Sequence, residues 1–182
     1  MGRLRRFADI EQFTRSGSYA ADYSPVTFIA YLDELQNEQG FDLDPYFQRP
    51  HVWTTGQQVA FIEFFLRGGL TGRDIYLNDP DWQRPNSKRK YVQKVLVDGK
   101  QRIQAWRRFL NNEIRVFGSL FSEFEDKLNR SVNTIRLCVN DLQTEAEVLK
   151  WYLEFNAGGT PHTKKELQRV RQLLEKQKKK TE

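Results

Sequence analysis

The feature that most constrains the fold of this chain is an abrupt change of hydrophobic period at Asp98-Gly99. Residues 91–97 are mostly apolar and rich in β-branched valine over the length of a strand. Apolar residues then recur at helical spacing, at Ile103, Trp106 and Leu110. The sequence therefore predicts a strand, a tight turn and a helix in direct succession.

Local signals predict the other elements. Helices are predicted from Ser24-Pro25 to about Asn37, from Thr54-Thr55 to Gly68-Gly69, and after Thr-x-x-Glu capping boxes at Thr144 and Thr163. Strands are predicted over 41–44, 74–77, 114–117 and 134–139, with loops over 78–90 and 155–161. Strands interleaved with helices indicate an α+β or a mixed α/β domain with two C-terminal helices.

Length and composition indicate one folded domain. The 182 residues suffice for one core of ordinary size, and 38% hydrophobic residues separate the chain from disordered sequences. We expect a basic N-terminal arm over 1–23, a domain over 24–175 and a basic tail over 176–182. No apolar run approaches the roughly 20 residues needed to span a bilayer. The basic N-terminus also lacks the apolar stretch of a secretory signal, so we expect a cytoplasmic protein with no membrane partner.

Positive charge is concentrated in two places. Residues 163–182 hold eight Lys/Arg against three Asp/Glu, whereas residues 1–162 are balanced at 21 against 21. A second basic cluster begins at Arg84 and runs to Arg102. We predict DNA as a partner, contacted by Arg84, Lys88, Arg89, Lys90, Lys178, Lys179 and Lys180. The alternative for the tail is a solvated helix end with its cations near the C-terminal dipole.

The turn at Asp98-Gly99 carries the clearest chemistry. A helix that starts directly after a strand presents free N–H groups and a positive dipole end, both of which favour phosphate. Lys100 and Arg102 add positive charge, Gln101 adds a neutral donor, and Asp98 is a candidate ligand for Mg²⁺. The alternative is a plain Asp-Gly turn that starts a helix with exposed cations.

A second segment, residues 44–53, places two prolines around aromatic residues and a Gln48-Arg49 pair. The prolines leave little freedom for a helix, so the pair could be held rigidly to bind a base edge and a phosphate. Tyr46, Phe47 and Trp53 could stack on a base, but core packing is the commoner role for such aromatic residues.

Several other chemistries lack support in the sequence. His51 and His162 have no partners at metal-ligand spacing, and the single Cys138 excludes an internal disulfide and lies within a strand-like alternation. Neither a P-loop of the Gly-x-x-x-x-Gly-Lys-Ser/Thr type nor a Gly-x-Ser-x-Gly elbow is present. A zinc site, a thiol nucleophile and a serine-hydrolase mechanism are therefore disfavoured.

Three segments in order resemble the N-terminal domain of GmrSD-type DNA-defence nucleases, a branch of the ParB/sulfiredoxin-like superfamily. They are Pro45-Tyr46-Phe47-Gln48-Arg49-Pro50-His51-Val52-Trp53, Val97-Asp98-Gly99-Lys100-Gln101-Arg102, and Asn156-Ala157-Gly158-Gly159-Thr160-Pro161 followed by Glu166. The resemblance spans about residues 25–170. The family's typical core reads Asp-Gly-Gln-Gln-Arg, so Lys100 replaces a glutamine here.

The resemblance implies a single α+β domain with a small mixed sheet flanked by helices and a C-terminal helical pair. It also implies a role for each matching residue in a nucleoside triphosphate site. Asp98 would act in Mg²⁺-dependent hydrolysis or in positioning the phosphates, and Gly99, Gln101 and Arg102 would bind phosphate. Gln48 and Arg49 would line the pocket, Asn156 and Glu166 would close its far side, and Lys100 would strengthen phosphate binding or alter hydrolysis.

The function that follows is a stand-alone ParB-like nucleotide-binding domain, a candidate NTPase, acting in DNA processing, phage defence or counter-defence. A separate protein partner would then supply a nuclease or defence activity, because longer relatives carry an HNH nuclease domain after this one. A Mg²⁺-dependent DNA endonuclease or nickase is one alternative. A non-catalytic DNA-binding or inhibitor protein is the other.

Overall fold

The computed structural model describes residue 10 and residues 19–82, 93–128, 133–157 and 164–181. Within these ranges the chain is an α+β fold, with five α-helices and a four-stranded mixed sheet. The helices are α1 (Pro25–Gln39), α2 (Thr55–Leu66), α3 (Lys100–Leu110), α4 (Glu145–Ala157) and α5 (Lys164–Thr181). The strands are β1 (Tyr19–Tyr23), β2 (Asp74–Asn78), β3 (Val95–Asp98) and β4 (Ile135–Asn140).

The sheet has the order β1-β4-β2-β3. Strand β4 pairs antiparallel with β1 and parallel with β2, while β2 pairs antiparallel with β3. The register between β2 and β3 shifts next to Tyr76, so that Asp98 rather than Val97 lies opposite Tyr76. This irregularity brings Asp98 beside the side chains of β2 at the point where α3 begins.

The two faces of the sheet bury different helices. Ile75, Leu77, Leu137 and Val139 belong to the main core, together with buried residues of α1, α2 and α3. The opposite face carries a second core that joins β3 to α4 and α5 and includes Val95, Val97, Phe47, Leu149, Trp151 and Val170. Because α3 packs on one face and α4 on the other, the β3–α3 turn lies at the edge between the two cores.

Capping explains where the helices begin. The Ser24 hydroxyl accepts from the Thr27 amide at 3.3 Å, ahead of Pro25 in the first turn of α1. Thr54 and Gln57 form a reciprocal capping box at the start of α2. Thr144 and Glu147 do the same before α4, with bonds of 3.2 and 2.9 Å. The helices predicted from these sequences are confirmed.

Two predicted strands are wrong. Over 41–44 only Asp42 forms a bridge to β3, and its carboxylate accepts from the Asp44 amide at 2.9 Å, a local turn that ends the pairing before Pro45. Over 114–117 the chain forms a tight turn, because Val116 and Ser119 bond to each other around two left-handed residues, Phe117 and Gly118.

Parts of both chain ends lie in regular elements. The arm expected over 1–23 ends in β1, whose residues 19–23 pair along β4. The tail expected over 176–182 is helical, because α5 continues to Thr181. The capping box at Thr163 and the basic loop over 84–90 fall outside the described residues. Among the helices that the structure describes, none has the length and apolarity required to cross a membrane.

Candidate functional site

A cavity of about 500 Å³ opens where β2, β3 and the start of α3 meet the 44–53 segment. Its volume falls within the range of small-molecule sites. The residues around it include Trp53 and most of those predicted for the nucleotide site: Gln48, Arg49, Asp98, Gly99, Lys100, Gln101 and Arg102. The structure thus brings together the two segments that the sequence placed about 50 residues apart.

The first turn of α3 forms one wall of this cavity. Gly99 precedes the helix with φ +118, a conformation that glycine adopts readily, and it provides no side-chain cap. The amides of Lys100, Gln101 and Arg102 therefore have no intrahelical acceptor at the positive end of the helix dipole. A Cβ at Gly99 would overlap Cδ1 of Ile75, so glycine is also what lets the turn lie against β2.

Gln101 fixes the 50–53 loop to this turn. Its side-chain oxygen accepts from the amides of Val52 and Trp53 at 3.0 and 3.1 Å, and its nitrogen donates to the Pro50 carbonyl at 3.3 Å. The side chain is only 8% exposed. Gln101, assigned to phosphate by the resemblance, thus acts here as a positioning residue for the loop.

Lys100 makes a second attachment to the same segment. Its ammonium group forms an ion pair with Asp44 and donates to the Arg49 carbonyl at 3.2 Å. Gln48 is held as well, because its side-chain nitrogen donates to the Leu96 carbonyl of β3 at 2.5 Å. The backbone on both sides of Arg49 is therefore fixed before any ligand binds.

The Arg49 guanidinium itself has no hydrogen-bond or ion-pair partner in the part of the chain that the structure describes. It is half-buried and lines the cavity. A guanidinium carries five N–H donors in a planar fork that matches phosphate and carboxylate oxygens. Its free donors and fixed backbone suit it to bind an anionic ligand.

Two carboxylates face these cations. Asp98 forms an ion pair with Arg102, one turn further along the chain. Asp74, at the start of β2, also lines the cavity and accepts a hydrogen bond from the Tyr76 hydroxyl at 3.4 Å. Burial raises the pKa of Tyr76 to about 12, and the negative charges of Asp74 and Asp98 contribute to the shift. Tyr76 is therefore a neutral hydroxyl at physiological pH.

Aromatic residues form another part of the lining. The ring centroids of Trp53 and Phe61 lie 5.4 Å apart, and the Phe61 ring also lies near that of Phe65 in the main core. Phe64 also lines the cavity and is 47% exposed. Of the aromatic residues weighed from the sequence, Phe47 is buried in the second core and Trp53 lines the cavity, while Tyr46 is exposed and donates to Glu145.

The remaining predicted residues are described only in part. Asn156 lies in the last turn of α4 and Glu166 in the first turn of α5, but their side chains are outside the described set, as are those of Lys178, Lys179 and Lys180. Arg84, Lys88, Arg89 and Lys90 are outside it entirely. Their roles at the pocket and on DNA stay predictions.

Sequence reasoning missed several residues of the cavity, among them Phe61, Phe64, Gly72, Asp74 and Tyr76. The period-2 pattern of β2 could have paired Asp74 with Tyr76 on one face. Nothing local to α2 distinguishes Phe64 from a core residue, because it stands within an apolar run.

Of the histidine and cysteine residues, the structure describes His51 and Cys138. His51 lies close to Gln58 and the Trp53 carbonyl, at 2.8 and 3.1 Å. Burial raises the pKa of the Cys138 thiol to about 11, with a further contribution from Asp74, so the group is a neutral thiol rather than a nucleophilic thiolate. Within the described residues, no group of three His, Cys, Asp or Glu side chains could hold a metal ion by itself.

Comparisons with models of protein families, with curated proteins and with solved structures gave no match. The resemblance to the GmrSD-type domain is therefore carried only by the three segments of this sequence.

The role of Gln101 is tested by Gln101→Leu. Loss of three hydrogen bonds, each contributing about 0.5–1.5 kcal/mol, should free the loop and speed amide hydrogen exchange at Val52 and Trp53. Gln104→Leu is the matched control, because Gln104 lies on the same helix away from the cavity. Unchanged exchange in Gln101→Leu would contradict the positioning role.

Proposed function

We propose that this chain binds a nucleoside triphosphate in the cavity, with its phosphates at the first turn of α3, and hydrolyses it. One observation carries the proposal. Uncapped helix amides, the unpartnered Arg49 guanidinium and the Arg102–Asp98 pair line the same cavity. The amides and the two guanidinium groups favour an anion with several oxygens, and the Asp98 carboxylate favours an accompanying cation.

The charges around the cavity set a condition on this binding. Its described lining carries Arg49, Lys100 and Arg102 against Asp74 and Asp98, an excess of a single positive charge. A triphosphate carries several negative charges, and Lys100 is already paired with Asp44 at the rim. Binding should therefore strengthen when a divalent cation accompanies the nucleotide.

The residues present fit Mg²⁺ bound in that way. Mg²⁺ is commonly held by one or two carboxylates together with waters and substrate phosphates, rather than by a full set of protein ligands. Asp98 and Asp74 offer two such carboxylates beside the proposed phosphate position. The ion would neutralise charge on the phosphates. Nothing in this arrangement requires a third protein ligand.

The protein side chains would then contribute positioning and electrostatic stabilisation. Arg102 has donors beyond the one it gives to Asp98, so it can bind a phosphate oxygen while keeping its ion pair. Arg49 lies on a fixed backbone and needs little reorganisation to bind another. Asp98 would orient the attacking water or the cation, since it is the carboxylate beside the helix N-terminus.

Asp98→Asn separates hydrolysis from binding. We expect phosphate release from ATP, GTP, CTP or UTP with Mg²⁺ to fall by about a hundredfold or more, because the carboxylate is lost. Triphosphate binding should persist or tighten, because Arg102 loses its competing internal partner. Asp33→Asn is the control, since Asp33 of α1 forms an ion pair with Arg107 of α3 outside the cavity. Full turnover in Asp98→Asn would contradict the assignment.

The proposed setting is DNA processing, phage defence or counter-defence, on the strength of the three matching segments and the basic C-terminal residues. A plasmid-nicking assay with Mg²⁺, run beside phosphate release, separates the proposal from the nuclease alternative. Nicking without nucleotide turnover would favour the nuclease. Absence of both activities would favour a binding or inhibitor protein.

A further inference from the structure

We infer that the aromatic wall, formed by Trp53, Phe61 and Phe64, is a stacking subsite for the base of the bound nucleotide. The inference rests on the proposed function, because it assumes that the phosphates lie at the first turn of α3. It adds a specific role for Phe64, which lies on α2 outside all three segments that carry the family resemblance.

The position of Phe64 is unusual for a phenylalanine. Its ring occupies the space that a side chain at residue 69 would need, because a Cβ at Gly69 would overlap three of its ring carbons. The Gly69 amide also donates to the Phe64 carbonyl at 3.0 Å. One side of the ring therefore lies against backbone, yet 47% of the residue is exposed and it lines the cavity.

An exposed, backbone-supported ring has a chemical use in a nucleotide site. Every nucleobase has a planar π-face, so an aromatic side chain can stack on it without reading its edge. Trp53 and Phe61 extend the apolar surface next to Phe64 and are themselves in contact. Such an apolar surface favours stacking with a base over contact with a phosphate.

The aromatic wall and the phosphate-binding wall are directly connected. Gly72 lies between them, since a Cβ placed there would be 3.3 Å from Phe61 and 3.7 Å from the aliphatic part of Arg102. The cavity volume of about 500 Å³ accommodates a small molecule with two chemically distinct ends. A nucleotide has this character, with an aromatic base at one end and an anionic chain at the other.

The test compares ligands with and without a base. The probes are inorganic tripolyphosphate and hydrolysis-resistant analogues of ATP, GTP, CTP and UTP, titrated calorimetrically with Mg²⁺. At least one analogue should bind the wild type about tenfold more tightly than tripolyphosphate, which is the usual scale of one stacked base. Phe64→Leu should lose that margin and keep its affinity for tripolyphosphate, whereas Phe64→Tyr should keep both.

Phe124→Leu is the matched control, because Phe124 is also exposed but packs on Phe109 away from the cavity. If the margin survives in Phe64→Leu, or disappears equally in Phe64→Tyr, the inference is overturned. An equal loss for tripolyphosphate and analogue overturns it too, because the ring would then support the loop and not the base. If the analogues bind the wild type no better than tripolyphosphate does, the inference fails but the proposed function stands. If tripolyphosphate itself does not bind the wild type, the proposed function fails.

Discussion

Gly99→Ala should lower the free energy of unfolding by about 3 kcal/mol or more, the sum of a strained backbone and an overpacked contact. Gly99 has φ +118, which an alanine rarely adopts, and its added Cβ would overlap Ile75 of β2. Urea denaturation followed by tryptophan fluorescence measures the loss, because Trp106 of α3 is fully buried in the main core.

Gly40→Ala separates the two causes. Gly40 ends α1 with φ +70, but a Cβ there meets nothing within 4 Å. This substitution carries only the backbone cost, about 1 kcal/mol. Equal losses of unfolding free energy in the two variants would contradict the close approach of the turn to β2. They would also contradict the position of the α3 N-terminus in the cavity.

Arg49→Ala should weaken the binding of tripolyphosphate and of nucleoside triphosphates by about 10- to 150-fold, the range for a hydrogen-bonded charged group. The free energy of unfolding should change by less than about 0.5 kcal/mol, because no described residue pairs with the guanidinium. Calorimetric titration gives the affinity, and denaturation gives the stability.

Two further variants distinguish the roles of the Arg49 charge and of its planar guanidinium group. Arg49→Lys keeps the charge but not the fork, so its affinity should lie between those of the wild type and Arg49→Ala. Arg115→Ala removes a cation that pairs with Glu123 away from the cavity, so it controls for net charge. Equal weakening by Arg115→Ala and Arg49→Ala would point to a general charge effect in place of a site.

The sequence was sufficient for the elements whose signals are local. The Thr54–Gln57 capping box and the proline after Ser24 satisfy their own helix starts, so α1 and α2 could be predicted without knowledge of the tertiary structure. The strand-turn-helix at Asp98-Gly99 likewise depends on hydrophobic period and one glycine. In each case the residues that decide the conformation are neighbours in sequence.

Where distant residues decide the structure, the sequence was insufficient. The 41–44 segment alternates like a strand, but its pairing to β3 stops at one bridge because Asp42 turns the chain locally. The cavity roles of Asp74 and Phe64 depend on the sheet order and on Gly69, neither of which a periodic pattern reveals. Gln101 illustrates the same limit, since its partners Val52 and Trp53 lie about 50 residues earlier.

The central claim is that phosphate binds at the first turn of α3, and amide chemical shifts measure it most directly. In a ¹⁵N-labelled sample titrated with tripolyphosphate and Mg²⁺, the amides of Gly99, Lys100, Gln101 and Arg102 should move furthest. Their shifts should follow one saturating curve, because these N–H groups have no intrahelical acceptor and would donate to the ligand. If the largest shifts instead lie in the basic end of α5, or if residues 99–102 do not move, the account of the site is contradicted.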